Sequence, residues 1–297
     1  MIEVRSVVKT FDTFTALDEL SLNVPKGAIY GLVGPNGAGK STIIRHLAGI
    51  YRQDSGEVLI DGEAVYENVG LKNRIAYIPD DLYFFTQAGI RDMMKYYRSI
   101  YPRFDCERFA ALRDVFRLDE RRPMRKLSKG MQKQAAFWLS ISMRPDVLIL
   151  DEPVDGLDPV MRRQVWSLIM GDVEENGTTV LVSSHNLREL EDVCDHVGII
   201  HKGRTMLERS LSELQENVVK IQAVLNEGTD LPENLNVLHE SRSGKILTLI
   251  IRGKSEETEA KIAGISPLFY DILPLTLEEI FIYELGGAEY AVRDIIL

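Results

Sequence analysis

The chain alternates between short, continuous runs of aliphatic residues and longer segments in which apolar residues recur every three or four positions. Four of these runs are AIYGLVG (28–34), DVLILDEP (146–153), TTVLVSSH (178–185) and HVGIIHKG (196–203). Continuous apolar strands separated by helix-length segments are typical of a largely parallel sheet that is buried on both faces. The pattern therefore predicts an α/β core.

Within this core, the apolar spacing becomes helical between about residues 86 and 145. The segments IRDMMKYYRSIY (90–101) and DCERFAALRDVFRL (105–118) carry apolar residues three and four positions apart, and Asp105 is a suitable N-cap for the second. We predict a helical subdomain inserted into the α/β core.

The pattern changes again after residue 215. VVKIQAVLN (218–226) and KILTLIIRG (245–253) alternate as strands with one solvated face do, and SEETEAKIAGI (255–265) has the character of a short helix. Thr276 and Glu279 form a capping box, which predicts a terminal helix. Residues 216–297 are thus expected to form a small α+β domain.

Composition narrows the class of protein. The chain has 45 acidic and 35 basic residues and a net charge of -10, which disfavours a broad nucleic-acid surface. No apolar run approaches the ~20 residues that span a bilayer, and the 2 cysteines have no metal-ligand spacing. We expect a cytoplasmic protein that reaches a membrane only through a partner.

The stretch GPNGAGKST (34–42) fits the phosphate-binding pattern G-x-x-x-x-G-K-[ST] and lies between a predicted strand and a predicted helix. Its glycines allow successive N–H groups to point at phosphate oxygens, Lys40 can neutralise the β- and γ-phosphates, and Ser41 can ligate Mg²⁺. The alternative is a glycine-rich turn without a ligand, but both flanks favour a nucleotide. The expected nucleotide-binding residues are Gly34, Pro35, Asn36, Gly37, Ala38, Gly39, Lys40, Ser41 and Thr42.

Two other strand ends carry candidate chemistry. VLILDEP supplies Asp151, which would hold Mg²⁺, and Glu152, which could orient or deprotonate the attacking water. His185 follows another strand, and because ligands bind at the carboxyl edge of parallel sheets, we expect it to contact the γ-phosphate. The alternatives are a solvated turn for the acidic pair and a structural role for the histidine. Glu152, His185 and Lys40 are the catalytic candidates.

The segment KLSKGMQKQAAF (126–137) resembles the LSGGQ signature of ATP-binding cassette (ABC) ATPases. Leu127, Ser128 and Gly130 match, whereas Lys129 and Met131 replace a glycine and the glutamine. The segment follows the phosphate loop and precedes VLILDEP, in the order that this family has. The resemblance covers about residues 1–215.

The resemblance implies a P-loop NTPase cassette with a mixed, mainly parallel core sheet, an antiparallel β subdomain and a helical subdomain. It also implies ATP hydrolysis in a head-to-tail dimer, identical or mixed, in which Ser128 and Gly130 complete the partner's nucleotide site. Asp158, in VDGLDP, matches the D-loop. Phe11 falls where the family has an aromatic residue that stacks on adenine; the alternative is a core residue of the first hairpin.

The stretch IAYIPDDLYFFTQ (75–87) lies at the family's Q-loop, with Asp80 where glutamine is common. Asp80 could contact Mg²⁺, or it could be a solvated loop carboxylate. Tyr83, Phe84 and Phe85 lie where the family forms a groove for the membrane subunit; core packing is the alternative for at least one of them.

A single cassette resembles the separate ATP-binding subunit of a bacterial transporter. The tail beyond residue 215 resembles those of ABC-2-type exporter subunits of the drug, antibiotic-resistance and acetoin-utilisation-like groups, and the Q-loop segment resembles a subgroup encoded beside GntR-type repressors. We expect an integral membrane permease as partner, a peripheral location on the inner membrane face, and no nucleic acid. The alternatives are a soluble ABC ATPase acting on nucleic acid or translation, or an assembly scaffold.

Overall fold

The computed structural model describes residues 1–85, 87–216, 218–226, 231–232 and 234–279. The chain divides into two compact units. The first consists of Met1–His185 and Val193–Glu208, and the second consists of Asn186–Asp192 and the residues from Arg209 onward. The predicted domain boundary after residue 215 stays a prediction.

Strands and helices follow one another along both units. In chain order the strands are β1 (Ile2–Phe11), β2 (Phe14–Val24), β3 (Ile29–Val33), β4 (Ser55–Ile60), β5 (Glu63–Ala64), β6 (Ile75–Ile78), β7 (Val147–Asp151), β8 (Thr179–Ser184), β9 (His196–His201), β10 (Arg204–Ser210), β11 (Val218–Val224), β12 (Val237–Ser243), β13 (Ile246–Arg252) and β14 (Phe269–Leu273). The α-helices are α1 (Lys40–Leu47), α2 (Val69–Lys72), α3 (Ile90–Ile100), α4 (Cys106–Ala111), α5 (Arg113–Phe116), α6 (Lys129–Ser142), α7 (Pro159–Asn176), α8 (Leu211–Glu216) and α9 (Ser255–Gly264).

The core sheet of the first unit has the order β10-β9-β3-β8-β7-β6. The pairs β6/β7, β7/β8, β3/β8 and β3/β9 are parallel, as the continuous apolar runs predict. Val33 pairs with Ser184, and Asp151 pairs with Ser183. This register places the ends of β3, β7 and β8 at one edge, so that the residues that follow each strand become neighbours.

A second sheet in this unit, of order β2-β1-β4-β5, is antiparallel in its β1/β2, β1/β4 and β4/β5 pairs. Its inward residues share one apolar cluster with the core sheet and α1. This cluster includes Leu17, Leu20, Leu32, Ile43 and Leu181, all of them fully buried. The cluster fixes the loop between β3 and α1 against both sheets.

Helices α3 to α6 form the predicted helical segment. Asp105 caps α4 by accepting the Arg108 N–H at 2.8 Å, as expected. The predicted helix over 105–118 is, however, broken into α4 and α5. The break follows Phe109, whose carbonyl accepts a hydrogen bond from Trp138 Nε1 at 2.8 Å. In an uninterrupted helix, that carbonyl would instead accept the Arg113 N–H.

The second unit contains an antiparallel sheet of order β12-β13-β11-β14. Ile262 of α9 packs with Val219, Ile221 and Leu249 of this sheet, so the strands and the helix predicted for this region are confirmed. The Thr276 and Glu279 capping box forms, with Glu279 N–H donating to Thr276 Oγ1 at 3.2 Å. The rest of the predicted terminal helix, in TLEEIFIYEL (276–285), lies outside the described residues from residue 280 onward. Within the described part of the chain, no helix has the length and apolarity required to cross a membrane.

Candidate active site

The phosphate loop connects β3 to α1, as the sequence predicts. Gly37 has φ 80° and Gly39 has φ 109°, in the left-handed region that side chains disfavour. A Cβ on Gly39 would also lie 2.9 Å from the Ala16 carbonyl oxygen. The glycines therefore allow the backbone to turn tightly and leave an open cradle before the first turn of α1.

Lys40, the first residue of α1, is buried with its ammonium group at the centre of this loop. Its Nζ donates to the carbonyl oxygens of Gly34 at 2.6 Å and Pro35 at 3.3 Å, and it lies 3.6 Å from Glu152 Oε1. Burial lowers the pKa of Lys40, while the charges of Glu152 and Asp151 act in the opposite direction. The loop carbonyl oxygens and the Glu152 carboxylate thus hold the ammonium group within the phosphate loop.

Asp151 lies at the end of β7 and is 2% exposed. Its Oδ1 accepts hydrogen bonds from Ser183 Oγ at 2.6 Å and from Ser41 Oγ at 3.3 Å. A carboxylate and a hydroxyl oxygen at this spacing beside a phosphate cradle are ligands that Mg²⁺ prefers. The donor set therefore fits the metal predicted from the sequence.

Glu152 follows Asp151 with φ 47°, an unusual conformation for a residue with a side chain. Its N–H donates to Ser183 Oγ at 3.2 Å, and its Oε2 is hydrogen-bonded to His185 Nδ1 at 2.9 Å. The carboxylate, 13% exposed, is therefore held between His185 and Lys40. Glu152 also lines the phosphate-loop cavity, and its role as general base stays a prediction.

Asp80 lies beyond β6, and its side chain is 57% exposed. It is not a simple solvated carboxylate, because its Oδ1 lies 3.4 Å from Lys133 Nζ. Lys133 lies within the signature segment KLSKGMQKQAAF, but the sequence analysis gave it no role of its own. Asp80 also lines the phosphate-loop cavity, and its contact with Mg²⁺ stays a prediction.

The cavity over the phosphate loop is lined by residues of the motifs and also by residues outside them. It is lined by Phe14, Ala16, Pro35, Asn36, Gly37, Gly39, Lys40, Ser41, Thr42, Asp80 and Glu152. The sequence analysis missed Phe14, although it pairs directly with Phe11 across the first hairpin. Phe11 is 39% exposed and packs edge-on against Tyr51, with ring centroids 5.5 Å apart, so it is not a core residue. Adenine stacking by Phe11 stays a prediction.

The signature residues lie elsewhere on the first unit. Ser128 caps α6 by accepting the Met131 N–H at 3.2 Å, and Asp158 caps α7 by accepting the N–H groups of Val160 and Met161 at 3.0 Å. Ser128 and Asp158 are exposed and are not among the described residues that line the phosphate-loop cavity. One chain therefore does not bring the signature to its own phosphate loop.

A third group of candidate ligands lies beside Glu152. Ligand atoms of Glu152, Asp155 and His185 lie within 4.8 Å of one another. This set contains an imidazole nitrogen, whereas Mg²⁺ prefers oxygen ligands, so Ser41 and Asp151 remain the better candidates for that ion.

Comparison with known proteins agrees with this geometry. A family model described as ABC transporter matches residues 17–155. The chain is 33% identical to the ABC transporter ATP-binding protein YtrB of Bacillus subtilis (strain 168), over 97% of this chain and 99% of that protein. The chain belongs to the ABC transporter ATP-binding cassettes. The fold class and ATP hydrolase activity expected from the sequence are those of this family.

Other matches place the cassette among transport ATPases. It is 35% identical to the daunorubicin/doxorubicin resistance ATP-binding protein DrrA of Streptomyces peucetius, over 73% of this chain and 67% of that protein. A solved structure of an ATP-binding subunit of an ABC transporter superposes with a TM-score of 0.68 and 25% identity, covering 72% of this chain and 92% of that one. ATP-binding subunits of this family dimerise and pair with membrane permeases.

Proposed function

We propose that this cassette is the ATP-hydrolysing subunit that powers a separate membrane permease of an ABC-2-type exporter. The arrangement of Glu152 carries the proposal, since this carboxylate is held by His185 at 2.9 Å and lies 3.6 Å from Lys40. Similarity to a daunorubicin/doxorubicin resistance protein supports the direction of transport.

In this proposal the phosphates of ATP bind the N–H groups of the loop from Gly34 to Thr42, and Lys40 exchanges its bond with the Gly34 carbonyl for phosphate oxygens. Ser41 and Asp151 would hold Mg²⁺, which when bound would neutralise part of the phosphate charge. Glu152 accepts the proton of the attacking water, and His185 orients the Glu152 carboxylate and contacts the γ-phosphate.

Hydrolysis would require two cassettes. Ser128 and Gly130 lie at the start of α6, where free backbone N–H groups and the helix dipole favour a negatively charged phosphate. Because Ser128 is exposed and outside its own chain's phosphate cavity, we propose that it acts on the nucleotide of a second cassette. Asp158 would lie at the same interface.

A Glu152→Gln variant tests the catalytic assignment. We expect Mg²⁺-dependent ATP turnover to fall by about 10²–10⁴-fold, because the amide cannot accept the proton. ATP binding should persist, and the variant should form an ATP-dependent dimer by size-exclusion chromatography with light scattering. Glu57→Gln, at an exposed position of β4, is the matched control. Turnover at the native rate in Glu152→Gln would exclude Glu152 as the base.

The loop beyond β6 is the candidate permease surface. Tyr83 is 90% exposed and Phe85 is 51% exposed, whereas Phe84 is partly buried. Phe85 packs edge-on against the exposed ring of Tyr96 in α3, with centroids 4.9 Å apart, so these two rings form one patch. Exposed aromatic residues held in a fixed position are common anchors of protein interfaces.

Changing both Tyr83 and Phe85 to Ser tests this surface. The tagged double variant, recovered from detergent-solubilised membranes, should lose a co-purifying integral membrane protein that the native chain retains, while basal ATP turnover persists. Tyr66→Ser, at an exposed aromatic residue of another loop, is the control and should retain that protein. Recovery of ribosomes instead of a membrane protein by the native chain would favour a soluble ABC ATPase acting in translation.

A further inference from the structure

Lys133 is a buried cation on α6 that lies within the signature segment, but it is not one of the residues that match the signature and it is outside the proposed catalytic set. Only 5% of the residue is exposed. Its Nζ donates to the Glu152 carbonyl oxygen at 2.6 Å and to Asp80 Oδ1 at 3.4 Å. Because a buried ammonium group is costly unless it is paired and hydrogen-bonded, these two contacts determine where the Lys133 side chain can lie.

The contact with Glu152 involves its backbone, whose conformation is unfavourable. A non-glycine residue with φ 47° persists only where its surroundings fix it. Ser183 Oγ accepts the Glu152 N–H at 3.2 Å, and Lys133 Nζ donates to the carbonyl of the same residue at 2.6 Å. The peptide groups on both sides of the Glu152 Cα are therefore clamped by side chains.

The second contact supplies the counter-ion. The Asp80 side chain is 57% exposed, whereas that of Lys133 is 7% exposed, so the carboxylate reaches the ammonium group from the solvent side. Asp80 lines both the phosphate-loop cavity and a neighbouring cavity that Lys133 also lines. The carboxylate at the Q-loop position is thereby connected to the Glu152 backbone through one lysine.

We propose that Lys133 is a positioning residue for ATP hydrolysis. It fixes the Glu152 peptide so that the carboxylate points at the nucleotide, and Asp80 holds the Lys133 ammonium group in place. Asp80 therefore acts on hydrolysis through Lys133. The inference rests on the proposed role of Glu152 as base.

Measurements of kcat and of the Kd for ATP in the full chain distinguish a role of Lys133 in positioning Glu152 from a role in binding the nucleotide. Lys133→Met should lower kcat by about 10²-fold, the loss typical of a catalytic group displaced by about 1 Å. The Kd for ATP without Mg²⁺ should stay within about twofold, since Lys133 lies outside the phosphate-loop lining. Lys133→Arg keeps the cation and should recover most of the lost kcat. Lys26→Met, an exposed lysine before β3, is the control.

Double variants test the role of Asp80. Asp80→Asn alone should lower kcat. When Asp80→Asn is added to the Lys133→Met variant, kcat should fall by less than about twofold more, because Asp80 acts through Lys133. If the losses in kcat from the two substitutions multiply independently, Asp80 does not act through Lys133. If Lys133→Met has native kcat, the whole proposal is overturned. If Lys133→Met does not fold, an Asp80→Asn variant with native kcat overturns the proposal. An inactive native chain, or a fully active Glu152→Gln variant, would instead refute the proposed function.

Discussion

At the scale of single residues, Gly130 lies so close to the backbone of a neighbouring loop that a side chain would not fit there. A Cβ on Gly130 would lie only 2.4 Å from the Gly156 carbonyl oxygen, far inside van der Waals contact. Gly130 thus allows the start of α6 to lie against the loop that precedes Asp158. Close packing therefore requires glycine at position 130 in this chain, in addition to the proposed role of Gly130 at the nucleotide.

Gly130→Ala should therefore destabilise the protein by about 1–3 kcal/mol, since backbone must move to admit the methyl group. Gly171→Ala is a matched control, because Gly171 lies inside α7 and an added Cβ there meets nothing within 4 Å. That variant should instead stabilise by about 0.5–1 kcal/mol through helix propensity. Urea unfolding followed by circular dichroism measures both. Equal losses in the two variants would contradict the steric explanation.

The two cysteines should differ in reactivity. Burial raises the pKa of the Cys194 thiol, and the nearby charge of Asp195 acts in the same direction. Cys106 is exposed at the start of α4. A chromogenic disulfide reagent should therefore modify Cys106 in the native protein and Cys194 only after unfolding. A Cys106→Ser variant that still reacts rapidly under native conditions would contradict this prediction.

At the scale of elements, α6 organises the helical segment. Trp138 is fully buried in it, and its ring stacks on Phe109 at 4.6 Å and on Phe116 at 5.9 Å between centroids. Its Nε1 also donates to the Phe109 carbonyl. The same helix carries Lys133 and has Ser128 as its N-cap, so packing around Trp138 influences where these two residues lie.

Trp138→Phe should destabilise the chain by about 2–4 kcal/mol, because it opens a cavity and leaves the Phe109 carbonyl without its donor. Trp166→Phe in α7 should cost less, since Trp166 is not fully buried. Denaturant unfolding of both variants provides the comparison. A Trp138→Phe loss no larger than that of Trp166→Phe would show that the carbonyl bond contributes little.

At the scale of the first unit as a whole, Asp146 connects distant parts of the chain. It accepts hydrogen bonds from Arg74 Nε at 2.6 Å and from Arg103 at 2.5 Å, while Arg74 also reaches Asp61 at 2.7 Å. Burial raises the pKa of Asp146, but the hydrogen bonds and charges of the two arginines outweigh it and lower the pKa below its ordinary value.

A carboxylate whose pKa is lowered by folding stabilises the native state above its unfolded pKa, about 3.9, and this contribution is lost as the pH falls through the folded value. Asp146→Asn should therefore lower the free energy of unfolding by about 1 kcal/mol at pH 7, a small figure because the side chain is 29% exposed. The difference from the native chain should shrink below about pH 4. Asp114→Asn, at an exposed position, is the control. If the difference in the free energy of unfolding between the native chain and Asp146→Asn grew as the pH fell, the prediction would be contradicted.

The sequence by itself determined the motifs and the class of fold. The phosphate loop, Asp151, Glu152 and His185 follow strands whose continuous apolar runs require burial in a parallel sheet, and parallel strands end at one edge. Local signals also predicted the Asp105 cap and the capping box at Thr276, because capping depends on residues three positions apart.

Only the tertiary structure brought together residues that are distant in sequence. Trp138 interrupts the predicted helix at Phe109, and Phe14 reaches the phosphate-loop cavity across a hairpin. Lys133 is a lysine on a helix, and periodicity gives no sign that it contacts Asp80 and the Glu152 carbonyl. The strained φ of Glu152 is likewise invisible in the sequence, because its backbone is held by Ser183 of β8 and Lys133 of α6. Local spacing predicts local hydrogen bonds, whereas long-range partners are decided by the packing of the whole unit.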